Sequence, residues 1–185
     1  MNAPALDPAL RLTAQLALSL LFVWAASHKL RDVAAFRAAV ASYELLPLGW
    51  ARVGAALLIG AEIAIGAGLW FPAVAVVAVL GAAGLLAVYA GAMALNLARG
   101  RRDIACGCGG LAAEQPLRGA LVARNGVLIV VALGMLAPTT TRPLTWVDTV
   151  TVAAGVAVLT LLYRAVDGLL ANAPKLGAVH SVEHA

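Results

Sequence analysis

Five long apolar runs constrain this chain more than any other feature of its sequence. A helix needs roughly 20 apolar residues to cross a hydrocarbon core about 30 Å thick. The chain is 63% hydrophobic and 12% charged, whereas a soluble domain is about half apolar and about a quarter charged. The sequence therefore predicts an all-α, polytopic membrane helix bundle of about five transmembrane helices. We expect these spans at residues 10–27, 53–71, 73–98, 121–137 and 144–166.

The segment 28–47 has a different pattern, because charged residues fall between its apolar ones. Its apolar side chains recur every three or four positions, at Leu30, Val33, Phe36, Val40 and Tyr43. This spacing predicts an amphipathic helix at the membrane interface or against the bundle. We expect residues 1–172 to form a single transmembrane bundle and residues 173–185 to form a flexible polar tail.

The basic residues predict the orientation of the bundle. Of the 13 Lys and Arg residues, Arg11 and Arg142 fall on the face that carries the N-terminus, and the remaining 11 fall on the other face. Cytoplasmic loops carry the excess of Lys and Arg. The count predicts an N-terminus outside and a cytoplasmic cysteine loop. Because the charges lie between apolar runs, they favour membrane topology over binding of nucleic acid.

Both cysteines lie in the stretch RGRRDIACGCGG, residues 99–110, where Cys106 and Cys108 flank Gly107. A bend at the glycine brings their Cα atoms within the disulfide range of about 4.4–6.8 Å. A bridge across so short a loop stabilises a fold little, and a tight bridge is readily reduced. Arg101 and Arg102 favour the reactive thiolate. The pattern favours redox exchange, with metal binding or two inert cysteines as alternatives, although zinc usually takes four ligands.

Glu62 lies in the middle of the second apolar run, where a carboxylate is costly and usually has a partner or a function. Glu62 is either a functional group or a residue whose interhelical hydrogen bond fixes the packing, and both interpretations stay open. Tyr89, Met93 and Asn96 share one helical face and are expected to line the interior. Asp148 is expected to cap a helix or lie at the interface. The candidate partners of Glu62 are His28, Lys29, Tyr89, Asn96, Arg124 and Asn125.

Taken together, these motifs resemble the MauE family of methylamine utilisation membrane proteins, which belongs with the DoxX-like redox-associated membrane proteins. The resemblance runs from about Ser27 to Leu136. It consists of SHKLRDVAAFRAAVASYELLP, a Glu in the next helix, RGRRDIACGCGG, and RN at the start of the following helix. The family often has an aromatic residue after the second cysteine, where this chain has Gly109.

The resemblance implies a role in the bacterial inner membrane. It implies maturation of the small (β) subunit of methylamine dehydrogenase, or of a similar periplasmic client that contains disulfides, with a thioredoxin-like, MauD-like partner. Cys106 and Cys108 would be the exchanging, catalytic pair: one thiolate attacks a partner's disulfide and the other resolves the mixed disulfide. No metal or cofactor is implied. The supporting residues that match the family pattern are Lys29, Glu62, Arg124 and Asn125.

The periplasmic client conflicts with the cytoplasmic position that the charge count predicts for the thiols. One resolution is that the count of basic residues gives the wrong topology, because segment 28–47 joins the bundle. The other is that the cysteine loop folds back between helices and is reached from both sides. Two other classes of function stay open. One is a non-catalytic scaffold that docks the maturation partner. The other is a transporter of a small molecule or soft metal, in which the thiols bind Cu(I) and Glu62 lies in the path.

Overall fold

The computed structural model describes residues 5–47, 49–104, 106–107 and 117–183 of the chain. Within these ranges the chain forms helices joined by turns, and its one extended pairing is an isolated bridge between Leu6 and Thr139. The described helices are α1 (Pro8–Arg31), α2 (Val33–Ser42), α3 (Ala51–Gly68), α4 (Ala75–Ala98), α5 (Gly119–Gly134) and α6 (Trp146–Glu183).

Two aspartates fix the starts of the first two helices. The Asp7 carboxylate accepts a hydrogen bond from the Ala9 amide, and proline occupies the first turn of α1, where its missing N–H costs nothing. Asp32 ends α1 and caps α2, where it accepts from the Ala35 amide. The predicted amphipathic helix at 28–47 is therefore corrected: its first turn finishes α1, and only Val33–Ser42 forms a separate helix.

The helices run in alternating directions between two ends of the bundle. We call the end that carries Asp7 the N-terminal end and the end that carries Cys106 the cysteine end. The Leu6 amide donates to the Pro138 carbonyl at 2.7 Å, which places the end of α5 beside the start of α1. Ser19 donates to the carbonyl of Gly66 at 2.8 Å, which places the end of α3 there as well. Thus α1, α4 and α6 run towards the cysteine end, and α3 and α5 run back.

Four helices, α1, α3, α4 and the first part of α6, are long and apolar enough to cross a membrane. The remaining predicted span, 121–137, corresponds to α5, which is apolar but has only 16 residues. At 1.5 Å per residue it is about 24 Å long, which is short for a span. It nevertheless connects the two ends of the bundle. The fold class predicted from the sequence, a polytopic bundle of helices, is confirmed.

Some helix boundaries differ from those expected. Helix α3 ends at Gly68 and α4 begins at Ala75, so a short linker of turns lies where the predicted spans 53–71 and 73–98 nearly meet. Helix α6 continues to Glu183, well past the predicted end at residue 166. The backbone of 173–183 is helical, and the flexibility expected of this tail stays a prediction.

The core of the bundle depends on small residues at helix crossings. Ala82 and Ala132 are fully buried in the main apolar cluster. A Cβ at Gly66 would lie 3.0 Å from the Val23 side chain, and one at Gly68 would lie 3.2 Å from Ala78. Close approach of this kind drives helix association in lipid. Gly66 and Gly68 therefore lie at close contacts, whereas a Cβ at Gly60 would meet nothing within 4 Å.

Candidate functional site

A buried ion pair joins α1 to α3 near the cysteine end. The Lys29 ammonium contacts the Oε1 atom of Glu62, and the two side chains are only 3% and 1% exposed. The Tyr89 hydroxyl on α4 donates to the same oxygen at 2.8 Å and lies 3.2 Å from the Lys29 ammonium. The sequence named both partners of Glu62 as candidates. Three helices are thus joined at one carboxylate oxygen.

The second carboxylate oxygen of Glu62 is buried and accepts no hydrogen bond from any described residue. Desolvation of two charges is costly, and a buried pair repays the cost only when its remaining lone pairs and protons are satisfied. Two aromatic rings also stabilise the buried Lys29 ammonium, which lies 4.9 Å from the ring centroid of Phe36 and 4.8 Å from that of Tyr89. The pair is therefore held by the Tyr89 hydrogen bond and the two rings, with one carboxylate oxygen left as an acceptor within the described residues.

Cys106 lies in a second apolar cluster, at the end of α4. It is 6% exposed and packs with Met93 and Leu121, and its Sγ atom lies 3.9 Å from the Met93 sulfur. Cys106 is disulfide-bonded. The other cysteine of the chain, Cys108, lies outside the described residues. The Tyr43 hydroxyl donates to the backbone carbonyl of Cys106 at 2.9 Å, and burial raises the pKa of Tyr43 to about 12. This bond fixes the loop against the end of α2.

Gly107 is in the left-handed region, with φ +66°. A Cβ there would lie 3.2 Å from the Ala39 side chain and 3.8 Å from the Phe36 ring. Glycine adopts this conformation without the penalty that other residues incur. The turn that carries Cys106 therefore lies directly against α2.

Phe36 lies between the buried Lys29–Glu62 ion pair and the turn that carries Cys106. One side of its ring faces the Lys29 ammonium, and its edge faces Gly107. Phe36 also packs in a buried cluster with Ala55 and Ile59 of α3. The ion pair and the cysteine turn are consequently neighbours across one aromatic side chain.

Arg124 and Asn125, the other supporting residues predicted from the sequence, have different partners from those expected. The Arg124 guanidinium donates to Asp167 of α6 at 2.5 Å and stacks 5.1 Å from the Tyr163 ring centroid. The Asn125 amide donates to the carbonyl of Leu121 within α5. Neither bonds Glu62 in the described part of the chain. Arg124 instead links α5 to α6, and Asn125 bonds within α5.

A cavity of about 1440 Å³ joins all of these groups. Its wall includes Lys29, Glu62, Tyr89 and Cys106, and elsewhere it includes Arg124, Asn125 and Asp167. Most of the remaining lining is aliphatic. Cavities that are mainly apolar and contain a few convergent polar groups are the usual form of a small-molecule site.

Sequence reasoning missed Phe36, Tyr43 and Asp167 as members of this region. Phe36 was placed on an amphipathic face, but its contact with Gly107 joins residues distant along the chain. In the sequence, Tyr43 stands out only as one of the regularly spaced apolar residues of segment 28–47. Asp167 lay just past the predicted end of the last span, so the continued helical spacing from Tyr163 was the signal that could have found it.

The fold and the site define a class: a multi-pass helical membrane protein with a buried Lys–Glu pair beside a cysteine turn. A family model described as "Methylamine utilisation protein MauE" matches residues 7–138. The chain belongs to the MauE family, as its motifs indicated.

Individual relatives agree with this assignment. The methylamine utilization protein MauE of Paracoccus denitrificans is 44% identical over 118 residues, which are 64% of this chain and 63% of that protein. The protein of the same name from Paracoccus versutus is 38% identical over 166 residues, covering 88% of this chain and 89% of the relative. No solved structure gives a significant match.

Proposed function

We propose that this protein exchanges a disulfide with a thioredoxin-like partner during maturation of a periplasmic protein in methylamine utilisation. The proposed client is the small (β) subunit of methylamine dehydrogenase or a similar subunit that contains disulfides. Membership of the MauE family supports the pathway. The observation that carries the chemistry is that Cys106 is disulfide-bonded in a turn against α2, on the wall of the large cavity.

The exchange conserves atoms and electrons. A partner thiolate attacks one sulfur of the disulfide, a mixed disulfide forms, and the second partner thiolate displaces the protein's sulfur. The partner leaves as a disulfide, and the protein leaves as a dithiol that has gained two electrons and two protons. The reverse sequence, in which a protein thiolate attacks a partner disulfide, uses the same two sulfurs and the same intermediate.

The surroundings of Cys106 suit exchange better than structural stabilisation. A bridge within so short a segment removes little entropy from the unfolded chain. The turn is instead held by the Tyr43 hydrogen bond and by packing on Phe36 and Ala39. Opening the disulfide therefore leaves most of the contacts that hold the turn in place.

We place the protein in the bacterial inner membrane, with its N-terminus outside. The buried position of Cys106 between α2 and α4 supports a cysteine loop that is folded against the bundle. Irregular backbone is tolerated at membrane depth when protein covers it. Labelling of each cysteine from either side of intact cells tests this placement, and labelling from one side alone would contradict access from both sides.

Cysteine substitutions test the proposed function. We expect Cys106→Ser and Cys108→Ser each to abolish maturation of the client while the variant reaches the membrane at the wild-type level. In one of the two variants, the remaining thiolate should also attack the disulfide of the oxidised partner and accumulate as a mixed disulfide, visible on a non-reducing gel. Met93→Leu is the matched control, because it replaces the thioether sulfur that lies 3.9 Å from the Cys106 sulfur and leaves both cysteines in place.

Full client maturation with either cysteine variant would contradict thiol exchange. In that case, a severe effect of substitutions on the exposed face of α2 would favour the non-catalytic scaffold. Copper bound to the purified protein, and lost with the cysteines, would favour the soft-metal transporter.

A further inference from the structure

We infer that the cavity binds a lipid-soluble quinone, which takes two electrons from the reduced cysteine pair. The inference rests on the proposed function, because it supplies the acceptor that returns the protein to its disulfide form. The structure brings together three requirements of such a site: an apolar route from the lipid, a polar end that fits a carbonyl, and a cysteine on the same wall.

The apolar route consists of exposed side chains on the membrane-spanning helices. The cavity wall includes Leu57 of α3, Val88 of α4, Val127 of α5 and Leu162 of α6. Each of these side chains is more than half exposed at the surface of the bundle. An isoprenoid tail can therefore extend from the hydrocarbon into the cavity without burying a polar group of the protein.

The polar end offers one donor and one acceptor beyond those that the ion pair uses. The Lys29 ammonium has three N–H groups and lies within hydrogen-bond distance of two oxygens, those of Glu62 and Tyr89. The Oε2 atom of Glu62 lacks a donor among the described residues. A quinone carbonyl accepts from the ammonium, and a hydroquinone hydroxyl donates to the carboxylate. The site thus complements both forms of the same headgroup.

The charge balance favours a neutral headgroup over an anionic one. Glu62 neutralises Lys29 and presents its second oxygen at the same place. A lipid phosphate there would face a carboxylate in a region of low dielectric, where like charges repel strongly. An acyl chain would fill the apolar route but would satisfy neither the ammonium nor the carboxylate.

The redox step balances with the quinone as oxidant. Two thiols lose two electrons and two protons and form the S–S bond. The two carbonyl oxygens of the quinone gain them and become hydroxyls. Quinones are known to maintain an oxidising thiol environment in the bacterial periplasm. Because the acceptor resides in the bilayer, this step needs no oxidant from either aqueous side.

The test uses the full chain in lipid nanodiscs that contain no quinone. The protein is reduced with dithiothreitol, desalted without oxygen and mixed with ubiquinone-1, while quinone absorbance and free thiols are followed together. We expect one quinone reduced for each disulfide formed. Tyr89→Phe removes the hydrogen bond that positions the Glu62 carboxylate at the polar end, and it should raise the KM for ubiquinone-1 about tenfold. Tyr163→Phe is the matched control, because it lines the same cavity beside Arg124 and should have less than about a twofold effect.

Photolabelling makes the result independent of any variant. An azidoquinone should label peptides of the cavity wall in the oxidised protein, and excess ubiquinone-1 should compete the label away. Label that ubiquinone-1 does not displace, or equal effects of the two tyrosine variants on KM, would overturn the assignment. Reduced protein that exchanges normally with a dithiol partner but leaves ubiquinone-1 oxidised would overturn it while leaving the proposed function intact.

Discussion

The two ends of the bundle each carry a cluster of charges, and the clusters differ in how completely they are satisfied. At the N-terminal end, Arg142 binds Asp7 and Asp148 with four hydrogen bonds of 2.7–2.9 Å, and its side chain is 39% exposed. At the cysteine end, Lys29 and Glu62 are almost completely buried, and one carboxylate oxygen accepts nothing from the described residues. The first cluster joins the starts of two helices, and the second joins three helices through two buried charges.

The N-terminal cluster has a simple structural role. Asp148 accepts from the Thr145 amide at 2.7 Å and so caps α6, as the sequence predicted. Asp7 caps α1, and Arg142 joins the two caps. The pair of Arg142 with Asp7 is exposed, and exposed pairs contribute little individually. The buried pair at the cysteine end bears a desolvation cost that the exposed pair does not, so it is more sensitive to the loss of one partner.

The largest effect on stability should come from leaving one buried charge alone. Glu62→Ala removes the carboxylate and leaves the Lys29 ammonium buried, which should lower the free energy of unfolding by about 3–5 kcal/mol. Titration with a denaturing detergent measures this change. The control is Glu44→Ala, which breaks the exposed pair with Arg101 and should cost less than about 1 kcal/mol.

A double substitution sharpens the same comparison. In Lys29→Met with Glu62→Leu, both charges are replaced by apolar groups, and stability should return to near that of the wild type or above it. Quinone reduction and client maturation should still be lost. A double variant that matures the client normally would show that the pair is only structural.

The next effect should arise at the turn that carries Cys106. Gly107→Ala places a side chain at φ +66° and 3.2 Å from Ala39, and the conformation alone costs roughly 1–2 kcal/mol. Gly126→Ala is the control, because its Cβ would meet nothing within 4 Å in the middle of α5. There alanine should be neutral or slightly stabilising. Equal effects of the two changes on unfolding would contradict the described position of the turn.

A smaller effect is expected from Tyr43→Phe, which removes the hydrogen bond to the Cys106 carbonyl at a cost of about 1 kcal/mol. The pH dependence of the free energy of unfolding tests whether the Tyr43 hydroxyl is responsible. The pKa of Tyr43 is about 12 in the folded protein and about 10 when unfolded. The unfolded state therefore loses its proton first, and the stability that Tyr43 contributes below pH 10 declines as the pH rises towards 12. The phenylalanine variant should lack that part of the decline.

The smallest effect should come from Arg142→Gln at the N-terminal end. The Arg142 guanidinium lowers the pKa of Asp7, mainly by hydrogen bonding. The stabilisation is present above the usual Asp value and is lost as the pH falls through the lowered pKa of the folded state. We expect the variant to lose this acid dependence and to differ less from the wild type at high salt. A change larger than that of Tyr43→Phe would contradict the contrast between the two ends.

Much of the fold followed from the sequence because lipid imposes length and apolarity on every span. The pairing of Lys29 and Tyr89 with Glu62 was also predictable, since a carboxylate in an apolar run requires partners. The contact of Phe36 with Gly107 was not predictable, because it depends on where the chain turns between α1 and α2. The break at Asp32 and the pairing of Arg124 with Asp167 depend similarly on helix ends that hydropathy locates poorly.

The central claim is that the cysteine pair changes redox state as the protein works. The most direct measurement is acid trapping of the full-length protein in cells, followed by labelling of free thiols with a maleimide that changes its mobility. The account predicts both the disulfide and the dithiol form, with the dithiol increasing when quinone is depleted. A pair that stays in one form whatever the state of the quinone pool or the partner would contradict it.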